Sequence, residues 1–155
     1  PIFYLTHKGL ANKLIEAKSR GVEVKIILDA TAAGNKYSVH PLLRKKGIEV
    51  KVEHFGGKMH AKSIVVDDEY IVSGSMNFTK AGNKNNDENT IIIKNSVIAK
   101  QYREYFMKLW SLIPNDYLHS IPNPESLESG NSCIDEIDND FDQYIDIDDR
   151  RCKTK

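Results

Sequence analysis

His60 and Lys62 stand one residue apart in the run His60-Ala61-Lys62-Ser63-Ile64-Val65-Val66-Asp67, and Gly74-Ser75-Met76-Asn77 follows after six more residues. An imidazole beside an ammonium is the core of a site for phosphate chemistry. Side chains alternate faces along an extended chain, so His60 and Lys62 are expected on one side and Ala61, Ser63 and Val65 on the other. Asp67 lies an odd number of residues from His60 and would face away. That parity makes it an organiser of the Asp67-Asp68-Glu69 turn. Ser75 and Asn77 again share a face.

Hydrolysing a phosphodiester with protein groups alone needs a nucleophile, an acid for the leaving oxygen, and donors around the charged oxygens. Neutral His60 can attack phosphorus, giving a phosphohistidine that water then resolves. Lys62 and Asn77, with Ser75 beside them, can hold the non-bridging oxygens as a point charge plus neutral donors. The acid is missing. One histidine cannot attack phosphorus and also protonate a leaving oxygen on the opposite side. His7, His40, His54 and His119 lie in no comparable context and are expected to be structural or solvent-facing; His54, before Phe55-Gly56-Gly57, is the one nearest the motif.

The elements that must position these groups alternate in type. Thr6 is expected to cap a helix carrying Leu10, Ala11, Leu14 and Ile15, stopped by Ser19-Arg20-Gly21. Residues 22–29 are expected to form a buried strand, and Pro41 to open a short helix that Gly47 ends. Ile48, Val50 and Val52 alternate with Glu49, Lys51 and Glu53 as a half-exposed strand. Strands follow over 60–67 and 70–75, then a polar loop over 80–87 and a strand over 89–94. A last helix carries Tyr102, Tyr105, Phe106, Leu109, Trp110 and Ile113 as a core-facing stripe, and Pro114 ends it. Strands interleaved with helices predict an α/β domain, a mixed β-sheet flanked by helices.

The pattern H-x-K-x4-D-x6-G-S-x-N resembles the HKD signature of the phospholipase D superfamily, with every fixed position filled. Glu88, just before the apolar run Thr90 to Ile93, falls where that family carries a glutamate orienting the histidine. Gly57-Lys58-Met59-His60-Ala61-Lys62 and Phe78-Thr79-Lys80 resemble the small single-motif bacterial endonucleases of the superfamily. The likeness covers roughly residues 1–112. It implies α-β-α layers and a catalytic set of His60, Lys62, Asn77, Glu88 and Asp67, with Lys58, Lys62, Ser75 and Asn77 on the substrate. It further implies catalysis with no cofactor and a homodimer that brings two His60 copies to one site. The rival arrangement is a longer protein whose first HKD half lies elsewhere. Nucleic acid is the expected substrate. The alternatives are a phospholipid such as cardiolipin, or an inactive HKD fold used for binding.

Twenty-two basic and twenty-two acidic residues cancel, but unevenly. Residues 1–120 hold 18 Lys and Arg against 12 Asp and Glu, an excess of +6, and residues 121–155 hold 4 against 10, an excess of −6. A basic body suits a polyanion. The composition therefore divides the chain into a catalytic domain over 1–114, a Pro- and Ser-rich linker over 115–132 and an acidic tail over 133–155. The opening Pro1-Ile2-Phe3-Tyr4-Leu5 reads as a fragment or processed product in which the family's first strand is missing. Asp138, Asp140, Asp142, Asp146 and Asp149 fall at positions one, three, five, nine and twelve of a calcium loop, although Gln143 stands where the sixth position favours glycine. A structural calcium ion and a plain disordered acidic tail both remain open for this stretch. Cys133 and Cys152 bracket it, so a disulfide, and with it an extracytoplasmic or secreted location, is the expectation.

Overall fold

Residues 1–3 join two groups of strands into one surface. In the computed structural model, which describes residues 1–55, 58–123, 126–127, 129, 132–138 and 143–153, Ile2 donates its N–H to Ile27 O at 2.9 Å and accepts from Asp29 N. On the other side Phe3 N donates to Ala61 O, and Ser63 N donates to Pro1 O. To one flank lie β1 (Lys25–Leu28) and β2 (Glu49–Val52), parallel, with Ile26 opposite Val50 and Leu28 opposite Val52. To the other lie β3 (Ser63–Val66), β4 (Tyr70–Gly74) and β5 (Thr90–Lys94), antiparallel, with Ser63 opposite Ser73 and Ser73 opposite Ile91. The surface is mixed and its helices flank it, so the domain is α/β as the alternation of elements implies.

Alternation along β1 sends Ile26 and Leu28 into one core and Ile27 into another. The first core takes Leu5, Ala11 of α1 (Lys8–Ser19), Leu43 of α3 (His40–Lys45), Val50 and Val52. The second takes Trp110 of α5 (Ser96–Leu112) and Ile113, with Phe106 and Leu109 against them. Helix α2 (Ala30–Ala33) starts directly after β1, capped by the Asp29 carboxylate, which accepts from Ala32 N at 3.0 Å.

Several expectations need correction. Helix α1 is capped by His7, whose Nδ1 accepts from Leu10 N at 3.1 Å, rather than by Thr6. The supposed loop over 80–87 contains α4 (Lys80–Lys84), capped by the Thr79 hydroxyl. Strand β2 is not half-exposed, since Lys51 is 3% exposed and Glu53 2%. It lies in a parallel pair covered on both faces, where alternation no longer means one wet side. Of the aromatic stripe on α5, Tyr102 and Tyr105 stay outside the core, because that end of the helix runs past the antiparallel strands rather than over the second core. Strand β5 is exposed along its whole length, with Ile92 70% exposed.

Candidate active site

The hairpin between β3 and β4 explains its own acidic turn. Asp67 and Asp68 both take left-handed backbone, φ 52° and 53°, and Glu69 N closes the turn on Val66 O at 3.0 Å. Aspartate tolerates this region better than most side chains. Asp68 pairs with Arg103 at 2.6 Å, tying the turn to α5. Strand β3 runs between this turn and His60, about 13 Å for its four residues. Asp67 therefore sits at the far end of the strand, in the turn it was expected to organise.

At the near end, His60 is exposed and Lys62 is 7% exposed. Lys62 Nζ donates to the His60 carbonyl at 2.6 Å and lies 5.1 Å from the centre of the Phe3 ring, against which the His60 ring also rests at 4.7 Å. An ammonium carries three protons, so two stay available for a ligand. Burial lowers the Lys62 pKa, opposed by the Glu88 and Asp29 charges. Both side chains line a cavity of about 520 Å³ with Ser63, Val65, Ser73, Tyr102 and Tyr105. Residues of both parities share it, because regular strand geometry begins only at Ser63.

Glu88 is not on the His60 ring. Its carboxylate accepts from the Ser75 hydroxyl and from Asn86 Nδ2 at 3.1 Å, and those two bonds, ahead of the Lys62 charge, hold its pKa below the usual carboxylate range. Ser75 N donates to Asn89 O at 3.1 Å and Asn89 N returns to Ser75 Oγ at 3.1 Å, extending the β4–β5 ladder past Gly74. A Cβ on Gly74 would overlap the Asn89 carbonyl oxygen, so this close approach is the reason for the motif's glycine. Having one proton, which goes to Glu88, the Ser75 hydroxyl serves the carboxylate here before any phosphate oxygen.

Asn77 lines a second, apolar cavity of about 200 Å³ with His7, Leu10, Ile64 and Met76, apart from the one at His60. Its Oδ1 is buried without a hydrogen-bond partner. Lys58 donates to Thr31 Oγ1 at 2.5 Å; burial lowers its pKa against the pull of Asp29, Asp138 and Glu53, so the acidic tail reaches this lysine electrostatically. His40 is a core residue bonded to Ser38 at 2.8 Å, its pKa pushed down to about 4 by burial and by Arg44. His54 Nδ1 is buried unpaired.

In the tail, Cys133 and Cys152 form a disulfide. Asp140 and Asp142 lie outside the described residues, and among those described no three His, Cys, Asp or Glu side chains converge as a metal site. Asp138 accepts from Gln143 N at 2.9 Å, and Gln143 takes φ 78°, so the turn is made without glycine. Both Asp146 oxygens accept backbone N–H groups, from Asp135 at 3.1 Å and Glu136 at 3.0 Å, while buried Asp149 takes Arg151 N at 2.5 Å.

A family model described as "Cardiolipin synthase, PLD-like domain" matches residues 1–110. The chain belongs to the phospholipase D superfamily. It is 41% identical over 95 residues to a protein named phospholipase D from Rickettsia bellii, covering 61% of this chain and 47% of that one. It is 34% identical over 109 residues to a mitochondrial cardiolipin hydrolase of Xenopus tropicalis, covering 70% and 52% respectively. The chain thus spans about half the length of the curated relatives it matches. Among solved structures it resembles the phospholipase D family member Nuc from Salmonella typhimurium, with TM-score 0.69, 29% identity and coverage of 73% and 76%. NucT from Helicobacter pylori shares the fold at TM-score 0.66 and 24% identity.

Family membership leaves two carboxylates unaccounted for. Asp29 and Glu53, buried at the carboxyl ends of adjacent parallel strands, bond into the segment that leads to His60. Sequence reasoning missed them, although Asp29 follows an apolar run and Glu53 an alternating one, and the carboxyl ends of parallel strands are where sites gather in open α/β sheets.

Proposed function

We propose that this chain is a phosphodiesterase that cleaves nucleic acid through a phosphohistidine intermediate, as a dimer and without a catalytic metal. The observation that carries the reading is the pair lining the cavity, an accessible His60 imidazole next to a Lys62 ammonium with one of its three protons on a protein carbonyl. A ring nitrogen of His60 attacks phosphorus as the P–O bond to the leaving group breaks. The departing oxygen takes its proton from the His60 imidazolium of a second copy. Water then attacks the phosphohistidine, gives its proton to that second imidazole, and frees His60. Lys62 stabilises the charge on the equatorial oxygens, and Glu88 acts through Ser75 and by its field on Lys62. The excess of lysine and arginine in residues 1–120 favours a polyanion over a neutral surface.

A phospholipid substrate is the second reading, favoured by the names of the relatives and by the exposed apolar residues of β5 and α5, Ile91, Ile92, Val97 and Tyr105 among them. The deciding experiment incubates protein of measured oligomeric state with single-stranded DNA, plasmid and cardiolipin vesicles in excess EDTA, beside His60→Ala. DNA cleavage that survives chelation and disappears in the variant supports the first reading. Activity on vesicles alone transfers the chemistry to lipid. A dimer inert on all three rejects both.

A further inference from the structure

We propose that Asp29 and Glu53 are positioning residues for the nucleophile, two buried carboxylates that fasten Phe55 and Met59 to the first turn of α2 and so set where His60 stands. The inference rests on the phosphodiesterase reading of His60.

Glu53 follows β2 and its N–H bonds to Leu28 O at 3.0 Å, which places it beside Asp29 across the parallel pair. Each carboxylate spans two elements. Asp29 caps α2 with Oδ1 and with Oδ2 accepts from Met59 N at 3.0 Å, thirty residues on. Glu53 accepts from Ala30 N at 3.3 Å through Oε1 and from Phe55 N at 2.7 Å through Oε2. Lys58 adds a third tie, to Thr31 Oγ1 in the same helical turn. His60 N then donates to Lys58 O at 2.9 Å, so the nucleophile is bonded directly to one of the fastened residues.

A helix cap needs one oxygen. The second oxygen of Asp29 and Oε2 of Glu53, which take Met59 N and Phe55 N, go beyond what capping asks. Placing two acids out of water side by side is unfavourable, and Glu53 shows it, with a pKa raised to about 7 by burial first and by the Asp29 charge, against the Phe55 and Ala30 N–H groups and Lys58. Asp29 and Lys58 are the charged groups that bear on it, and His54 adjoins it in sequence. A neutral hydrophobic pair would hold the strands at less cost, but a carboxyl group offers two oxygens and so can take backbone N–H groups from two elements at once. Misplacing a reacting group by about an ångström can cost on the order of a hundredfold in rate.

The test uses the full-length protein and bis-p-nitrophenyl phosphate, a small diester with no remote contacts. Glu53→Gln and Asp29→Asn each keep one acceptor and turn the other into a donor. The expected result is a fall in kcat of about ten- to a hundredfold with KM changed less than about threefold, since Lys62 is untouched. By NMR, the Phe55 amide of the wild type should titrate with a midpoint near 7 and stop doing so in Glu53→Gln. His54 beside it is pushed below the usual histidine range by burial, so its own step falls earlier. Wild-type kcat in both variants overturns the inference while leaving the nuclease reading intact. So do Phe55 and Met59 amides that exchange with solvent as fast as unprotected ones, a measurement on the wild type that needs no variant to fold. A wild type inert on every diester removes the reading and the inference together.

Discussion

Lys51 and Lys62 are both buried lysines that donate to backbone carbonyls, yet they belong to opposite kinds of sheet. Lys51, in the parallel pair, donates to Trp110 O at 3.0 Å and Ile113 O at 2.6 Å, ties off the end of α5 and lies 4.9 Å from the Trp110 ring centre. Lys62, beside the antiparallel strands, spends one proton on His60 O and lines an open cavity. Coverage makes the difference. Where both faces of the sheet are covered, a charge can only be a fastener, and its partners must all be protein. Where a face is open, part of the charge's hydrogen-bonding capacity is left for a ligand.

The two lysines should respond in opposite ways to removal of their charge. Lys62→Met should lower diester cleavage on the order of a hundredfold or more while moving the urea midpoint little, because a donor to the developing charge is lost. Lys51→Met should do the reverse, costing about 2 kcal/mol in urea unfolding as the α5 carbonyls lose a charged donor, with kcat kept. Equal effects of the two substitutions on rate would erase the distinction.

A pH series sharpens it next. Glu53 binds a proton in the folded state up to about pH 7 but in the unfolded chain only below about 4.5. Its contribution is fully present below 4.5 and lost as pH rises through 7, about 3 kcal/mol by pH 8. His40 acts oppositely, with stability present above 6.5 and lost as pH falls through about 4. The stability of wild type minus Glu53→Gln should therefore shrink from pH 5 to pH 8, read as the difference in urea midpoints.

The smallest expected effect lies at the far end of the hairpin. Asp67→Gly should leave cleavage unchanged and stability level or higher by about 1 kcal/mol, since glycine relieves the left-handed backbone. A large loss of cleavage would return Asp67 to the reacting groups.

Much of the site was legible from local spacing. The motif's spacing brought His60 and Lys62 to one cavity, although Ala61, Ser63 and Val65, expected on the other face, line it too, and the acidic run Asp67-Asp68-Glu69 marked the turn between β3 and β4. Spacing was silent where a side chain's partner comes from a distant element. Glu88 meets Ser75 rather than the histidine because the β4–β5 ladder continues past Gly74 and brings that hydroxyl to it first. Asn77 faces a cavity of its own, which no count along the chain could reveal.

By itself the sequence determined the kind of chemistry, the α/β order of elements and the turn that ends β3, because these depend on residue type, period and backbone preference over a few neighbours. Only the tertiary structure decided that Lys51 and Glu53 lie inside, that Tyr102 and Tyr105 lie outside, and that two acids hold the segment leading to the nucleophile. A period of two says which residues share a face of a strand. It does not say whether that face meets water, for that depends on which other element arrives to cover it.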